Sequence, residues 1–263
     1  MIDHNGKTAL VTGGASGIGK AIAAALAARG ARIVLADIDA AKLEIAAMEI
    51  AGARTIACDL ADPAAPARLL DEAHALDGRL DLICSNAGIG HNRRLAKEEL
   101  GEGAKRLFEV NLFAGLRIAQ AYLALLERSA TRGRLLFTAS ENSLSVPTAV
   151  KGSGLGLYAA SKHALLIMAE WLRDETAKAP LDLHVLLPGA VYTPLVAHAL
   201  PDPALAPPEL DLIMPERCAE LALRGMDLGL FYIPTQPHLL TDMRPRLDGV
   251  AQALKSLGLS RAE

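Results

Sequence analysis

The chain of 263 residues carries only three cysteines, Cys58, Cys84 and Cys218, far apart and in no C-x-x-C pair. That excludes a disulfide framework and a thiolate zinc site as expectations, and no metal is expected. Cys58 and Cys84 fall inside predicted strands and read as small core residues. No apolar stretch runs for about 18 residues without interruption, so no membrane span is expected. Charge is nearly balanced, with a net charge of -3, which leaves no electrostatic footprint for nucleic acid or an anionic membrane. Small-molecule chemistry is the expectation that remains. The stretch Met1-Ile2-Asp3-His4-Asn5-Gly6-Lys7 lacks the basic and apolar regions of a signal peptide, and a cytoplasmic location is expected. Internal repeats, low-complexity tracts and long charge runs are missing too, so residues 1-263 are read as one domain.

What is present is apolar residue, 51% of the chain, with a mean hydropathy of +0.25. Apolar runs recur at Thr8-Val11, Arg32-Ala36, Thr55-Cys58, Leu82-Cys84, Leu135-Thr138, Leu183-Leu187 and Leu230-Ile233, separated mostly by helical patterns. Such alternation predicts βαβ units. Runs with little polar alternation belong to strands covered on both faces. The expected fold is α/β: a doubly wound parallel sheet of about seven strands with helices on both faces. Two helical stretches, Ala104 to Ser129 and Tyr158 to Lys178, leave little polar face. A helix apolar all round must be covered on both sides, by the sheet on one and on the other most simply by a partner subunit, with a large insert of the same chain as the alternative; a homo-oligomer, dimer or tetramer, is expected. Trp171, the single tryptophan, is expected between helix and sheet or at a subunit contact.

The first turn organises the rest. Thr12-Gly13-Gly14-Ala15-Ser16-Gly17-Ile18-Gly19 follows the first apolar run and opens the pattern Ile18, Ile22, Leu26. Strand, glycine turn and helix together form a candidate phosphate cradle, because a helix start offers unpaired N-H groups and the positive end of its dipole. Its spacing is G-x-x-x-G-x-G rather than G-x-G-x-x-G. At the end of the second strand stands Asp37, about two dozen residues after the first glycine. A carboxylate there accepts hydrogen bonds from ribose hydroxyls and repels a 2'-phosphate, which selects NAD. Capping of the next helix is the competing role, for which Asp39 is equally suited. Further on, Tyr158 and Lys162 are spaced i, i+4 in a predicted helix, so phenol and ammonium share a face. A cation beside a phenol lowers its pKa toward the range of a working acid or base.

In this combination the chain resembles the classical short-chain dehydrogenase/reductase family over almost its whole length. The matching pieces, in order, are the Gly13 to Gly19 turn, Asp37, Asp59-Leu60, Asn86-Ala87-Gly88, Asn111, Ser140, Tyr158 with Lys162, and Pro188-Gly189-Ala190-Val191-Tyr192-Thr193. The resemblance implies a secondary alcohol dehydrogenase or ketone reductase. Tyr158 would be the acid/base, Lys162 the binder of the nicotinamide ribose and the group that lowers the phenol pKa, and Ser140 the partner of the substrate oxygen. Asn111 would bend its helix and hold a water leading from Lys162 to solvent. Cofactor contacts would come from Gly13, Ser16, Gly17, Ile18, Gly19, Asp37, Asp59, Leu60, the Asn86-Ala87-Gly88 backbone, Pro188, Gly189, Val191 and Thr193.

Two departures stand out. Ser85 replaces the first of two asparagines common after the fourth strand. Ser140 lies eighteen residues before Tyr158 where about thirteen is common, and Ser145 sits at the common distance. Ser140 is preferred because it directly follows the strand Leu135 to Ala139. Ser145 is the alternative and Ser143 a third. Glu141 and Asn142 read as turn residues or substrate neighbours, and Tyr192 as a candidate for lining the pocket. His91, Arg93 and Arg94 read as a solvated loop, and His163 as packing. From Thr193 to Met214 five prolines interrupt a leucine-rich stretch, which is expected to be a lid over an apolar pocket. Two other readings keep the dinucleotide: reduction of an activated double bond, and a non-catalytic sensor or scaffold.

Overall fold

The computed structural model describes residues 2-259. Seven strands form one all-parallel sheet: β1 (Thr8–Thr12), β2 (Arg32–Asp37), β3 (Arg54–Ala57), β4 (Leu82–Ser85), β5 (Gly133–Thr138), β6 (Leu181–Leu187) and β7 (Tyr232–Pro234). Their spatial order is β3-β2-β1-β4-β5-β6-β7. The helices are α1 (Gly17–Ala28), α2 (Ala40–Glu49), α3 (Ala65–Asp77), α4 (Glu102–Phe108), α5 (Ala114–Ser129), α6 (Gly156–Glu175), α7 (Pro194–Ala197), α8 (Pro215–Asp227) and α9 (Leu239–Ser256). All seven expected strands are present within about two residues. Cys58 lies one residue past β3 rather than inside it.

Successive strand residues feed opposite cores, as the two-residue period requires. Leu10, Val34, Ile83 and Leu135 pack with Ile118, Tyr122 and Leu165 on the side of α3, α5 and α6. Val11, Leu35, Cys84 and Leu136 pack with Ile22, Leu26, Cys218 and Leu223 on the side of α1, α2 and α8. Both faces are therefore dry, which is why the strands show no polar alternation. The strand order switches direction between β1 and β4, and a crevice opens beyond the carboxyl ends of these strands.

The long apolar stretch from Ala104 is not one regular helix. A π-helical turn over Glu109–Phe113 joins α4 to α5 and carries Asn111 at its centre. Trp171 is 63% exposed rather than packed against the sheet, and Phe113 and Ile167 are exposed as well. Among the described residues no helix is long and apolar enough to cross a membrane.

Candidate active site

The glycine turn at the end of β1 is shaped by its neighbours. Gly13 has φ of 64° and Gly17 of 54°, the left-handed region that side chains disfavour. A Cβ on Gly13 would stand 2.9 Å from Ala87 Cα, and one on Gly19 would land on the Gly13 carbonyl oxygen and 2.6 Å from Asn86 Nδ2. Thr12 Oγ1 accepts the amides of Asn86 (3.0 Å) and Ala87 (3.1 Å), while Asn86 Nδ2 donates to the Thr12 carbonyl at 3.2 Å. The Asn86 side chain thus braces the turn, and the Ala87-Gly88 backbone is left to face the crevice. Ser16 precedes α1 in extended conformation without capping it by its side chain, so the first amides of the helix remain free for an anion.

Asp37 does not cap α2. Its Oδ2 accepts the Ala15 amide at 3.2 Å and its Oδ1 the Asp39 amide at 3.2 Å, while Asp39 caps α2 by accepting from Lys42. The carboxylate therefore ties β2 to the glycine turn at the rim of a cleft shared by Gly13, Asp37, Asp59, Leu60, Ala87 and Arg106. Arg106, which sequence reasoning did not single out, reaches this cleft from α4. It holds Asp59 through both carboxylate oxygens, at 3.0 and 3.1 Å. No local pattern links residues 47 positions apart, so only the fold reveals the pair. A dinucleotide fits these residues: glycine backbone for phosphates to approach, a carboxylate at the end of β2, and apolar lining from Leu60 and Ala87.

The second half of the site lies beyond β4, β5 and β6. Ser140 is buried and starts a short turn over Glu141–Ser143, its Oγ accepting the Asn142 amide at 3.2 Å. Its hydroxyl lies near the Tyr158 phenol and pulls that group's pKa down. Ser143 is engaged elsewhere, donating to the Lys162 carbonyl at 2.8 Å. Ser145 is buried as well. Between Leu144 and Gly156 the chain runs through a short 3-10 turn over Thr148–Val150.

Lys162 is buried and donates to the Thr138 carbonyl at 2.9 Å, and burial pushes its pKa down to about 8. Its ammonium stands 6.0 Å from the centre of the Tyr158 ring. Burial raises the Tyr158 phenol above its ordinary value, the Ser140 hydroxyl pulls it down, and the Glu141 carboxylate raises it. The sequence reading expected the ammonium to lower the phenol. In the free protein burial raises the phenol and Lys162 is not among the groups that shift it, the ammonium being held by the Thr138 carbonyl.

Asn111 sits where Gly88 leaves room. Its Oδ1 accepts the Ile89 amide at 2.8 Å, and its Nδ2 donates to the Ile89 carbonyl (3.0 Å) and to Ser161 Oγ (3.1 Å). A Cβ on Gly88 would lie 3.3 Å from both Asn111 Oδ1 and Lys162 Nζ. The two side chains thus flank one glycine, and the π turn brings Asn111 there.

The β6 exit is clamped by residues that sequence reasoning missed. The Gly189 amide donates to Gln236 Oε1 at 2.7 Å, Gln236 Nε2 donates to the Ala190 carbonyl at 3.1 Å, and the Glu141 amide donates to the Pro188 carbonyl at 2.7 Å. Buried Glu141 pairs with His238 Nε2 at 2.8 Å. Burial raises the Glu141 carboxyl and His238 pulls it down. Beyond the clamp, Thr193 touches the cradle, since a Cβ on Gly17 would lie 3.0 Å from its Cγ2. From Thr193 to Met214 the chain runs through α7 and two 3-10 turns and is drawn closed at its base. The Tyr192 amide donates to the Ile213 carbonyl (2.9 Å) and the Ile213 amide to the Ala190 carbonyl (3.1 Å). The Tyr192 hydroxyl donates to the Pro201 carbonyl at 2.8 Å. Leu195 covers Gly90 beyond β4. His91 pairs with Glu98, Arg93 with Glu99, and His163 donates from Nδ1 to the Ala159 carbonyl and accepts from Arg246 at Nε2.

The short chain dehydrogenase family model matches residues 7–204. This chain belongs to the short-chain dehydrogenase/reductase family. Among relatives of this dehydrogenase, 1-deoxy-11-beta-hydroxypentalenate dehydrogenase of Streptomyces exfoliatus is 34% identical, over 93% of this chain and 88% of that one. A short-chain dehydrogenase/reductase from Burkholderia phymatum, solved in complex with NAD, superposes with a TM-score of 0.83 at 24% identity, covering 96% of this chain and 97% of that one. A short-chain dehydrogenase from Sphingobium yanoikuyae, solved with NADPH, gives 0.77 at 25% identity, with 98% of each chain covered. The enzyme is an oxidoreductase of that family.

Proposed function

We propose that this enzyme interconverts a hydrophobic secondary alcohol and its ketone with NAD(H), using Ser140, Tyr158, Lys162 and Asn111. The observation that carries this reading is the convergence of Ser140, Tyr158 and Lys162 at the strand ends, next to a glycine cradle and Asp37. A bound nicotinamide dinucleotide supplies the hydride chemistry at the carbon bearing the oxygen. Ser140 Oγ donates to that oxygen and stabilises the charge it develops. Tyr158 removes the hydroxyl proton in oxidation and returns it in reduction. Lys162 is charged at neutral pH and stands at the ring of Tyr158, so a phenolate has a counterion beside it. Asn111 fixes the backbone under Gly88 and keeps open the space beside Lys162 through which the proton would pass to water.

NAD is preferred over NADP because the Asp37 carboxylate sits at the cleft rim while the Arg106 charge is taken up by Asp59. The apolar segment Thr193 to Met214, with Leu195, Leu205 and Met214 exposed, is the lid that selects an apolar substrate. Limited proteolysis would show protection of this segment on dinucleotide addition; equal cleavage in both states refutes closure. A second copy would cover the exposed Phe113, Ile167 and Trp171.

The decisive experiment is Tyr158→Phe assayed by NADH absorbance against a panel of cyclic and aromatic secondary alcohols. General acid/base catalysis of this kind is worth about 10²–10⁴-fold. Loss of that order in turnover, with NADH binding retained by calorimetry, is the expected result. Retained turnover refutes the assignment. Because burial raises the phenol, oxidation should accelerate and reduction slow as pH rises from 6 to 8, the range over which Lys162 keeps its charge.

A further inference from the structure

Past its first turns, α9 is exposed. Leu239 is buried, Asp242 Oδ1 accepts the Thr148 hydroxyl at 2.7 Å, and Arg246 donates to His163 Nε2 at 3.1 Å. These contacts fix the helix direction. From Arg244 to Ser256 every residue is exposed. A solitary helix of this length is marginal in water, where most helical stability comes from packing an apolar face.

The exposed face is patterned. Leu240, Met243, Leu247, Val250, Leu254 and Leu257 follow one another at spacings of three, four, three, four and three residues. Leu240 is 78% exposed, Leu247 and Val250 57% each and Leu257 71%. A strict 3.5-residue repeat makes a narrow seam that fits a second helix by knobs-into-holes packing, narrower than the face a globular core uses. Pro245 and Gly249, the residues that weaken a helix, fall on the opposite side. Gly258, in left-handed conformation, ends the helix just past the seam.

We propose that this seam pairs with the same seam of a second copy of the chain, antiparallel. A two-fold axis passing midway between Leu247 and Val250 sets Leu247 against the other copy's Val250, Met243 against Leu254, and Leu240 against Leu257. A surface that complements itself in this way is what an isologous contact requires. The flanking charges select the direction. Arg244 and Arg246 border the first half of the seam, Ala251 and Ala253 the second. Antiparallel pairing places each arginine pair against alanines and brings Asp242 level with Lys255 of the other helix. Parallel pairing crowds four guanidinium groups at one end and sets the two globular bodies, both attached at the helix start, against each other.

The test uses the full chain. The double substitution Leu247→Glu and Val250→Glu should halve the solution mass measured by light scattering, with the thermal transition of the body unchanged. Cysteine exchange tests the geometry with smaller side chains. Differently tagged Met243→Cys and Leu254→Cys chains, mixed and oxidised, should form a disulfide between the two tags. Either variant alone should give no more cross-linking than wild type, because in this arrangement identical positions lie about 16 Å apart along the axis. An unchanged mass for the glutamate variant overturns the proposal. So does Met243→Cys cross-linking to itself, which marks a parallel pair. Flotation of wild type, but not the glutamate variant, with phosphatidylglycerol vesicles at unchanged mass would give the seam to a lipid surface and also overturn it.

Discussion

Lys162→Met exchanges the buried ammonium for an apolar side chain of similar length. Burial holds the Lys162 pKa at about 8 against an ordinary 10.5, and 2.5 pH units correspond to about 3 kcal/mol. Below pH 8 the lysine is protonated in both folded and unfolded chains, so the full cost of burying the charge weighs on the fold. Between 8 and 10.5 the folded protein has released the proton while the unfolded chain still binds it, and stability therefore rises with pH across that window. Methionine removes this cost but leaves the Thr138 carbonyl without its donor, a loss of about 1–2 kcal/mol. The free variant should thus be more stable than wild type at pH 7 by about 1–2 kcal/mol, a gain of a few degrees in Tm. It should be catalytically dead. Urea denaturation of both proteins at pH 7 and 9.5, without cofactor, reads the difference directly: the variant's advantage should shrink at the higher pH as wild type recovers. A variant less stable than wild type at pH 7, or an advantage independent of pH, would refute the reasoning.

The cradle and the cofactor preference give two more tests. Gly19→Ala puts a methyl group on the Gly13 carbonyl and against Asn86 Nδ2, so the turn must move; dinucleotide affinity measured by calorimetry should fall at least about tenfold, equivalent to roughly 1.4 kcal/mol. Unchanged affinity would mean that phosphates do not bind there. Asp37→Ala should weaken NAD and strengthen NADP, shifting the ratio of kcat/KM toward NADP by about 10-fold or more, on the scale of losing one charge-assisted hydrogen bond and a repulsion. A ratio that stays put assigns Asp37 to bracing the turn alone.

The strands and the glycine turn were legible because their causes are local. A strand buried on both faces writes itself as an uninterrupted apolar run, and Leu10-Val11 or Leu135-Leu136 feed two cores with adjacent residues. The order of Asp37, Asn86, Tyr158 and Lys162 along the chain was equally readable. What the sequence concealed was made by distance. Arg106 meets Asp59 only after α4 has folded across the crevice, and Gln236 and His238 reach Gly189 and Glu141 from beyond β7. The π turn at Asn111 interrupts a helix that periodicity alone draws as continuous. The phenol's upward shift has the same origin, since the i, i+4 spacing places Lys162 on the face of Tyr158 but says nothing of the Thr138 carbonyl that holds the ammonium.

The Gln236 and His238 clamp bears on synthesis. Ribosomes deliver this polypeptide amino end first, so the glycine turn, Ser140, Tyr158 and Lys162 emerge before the side chains that secure Pro188-Gly189-Ala190 exist. A nascent chain displays every family motif before Gln236 and His238 have left the exit tunnel, and should become active only once they have closed the clamp. Premature stop codons shortly after β7 would accordingly yield material that binds nucleotide weakly and turns over nothing.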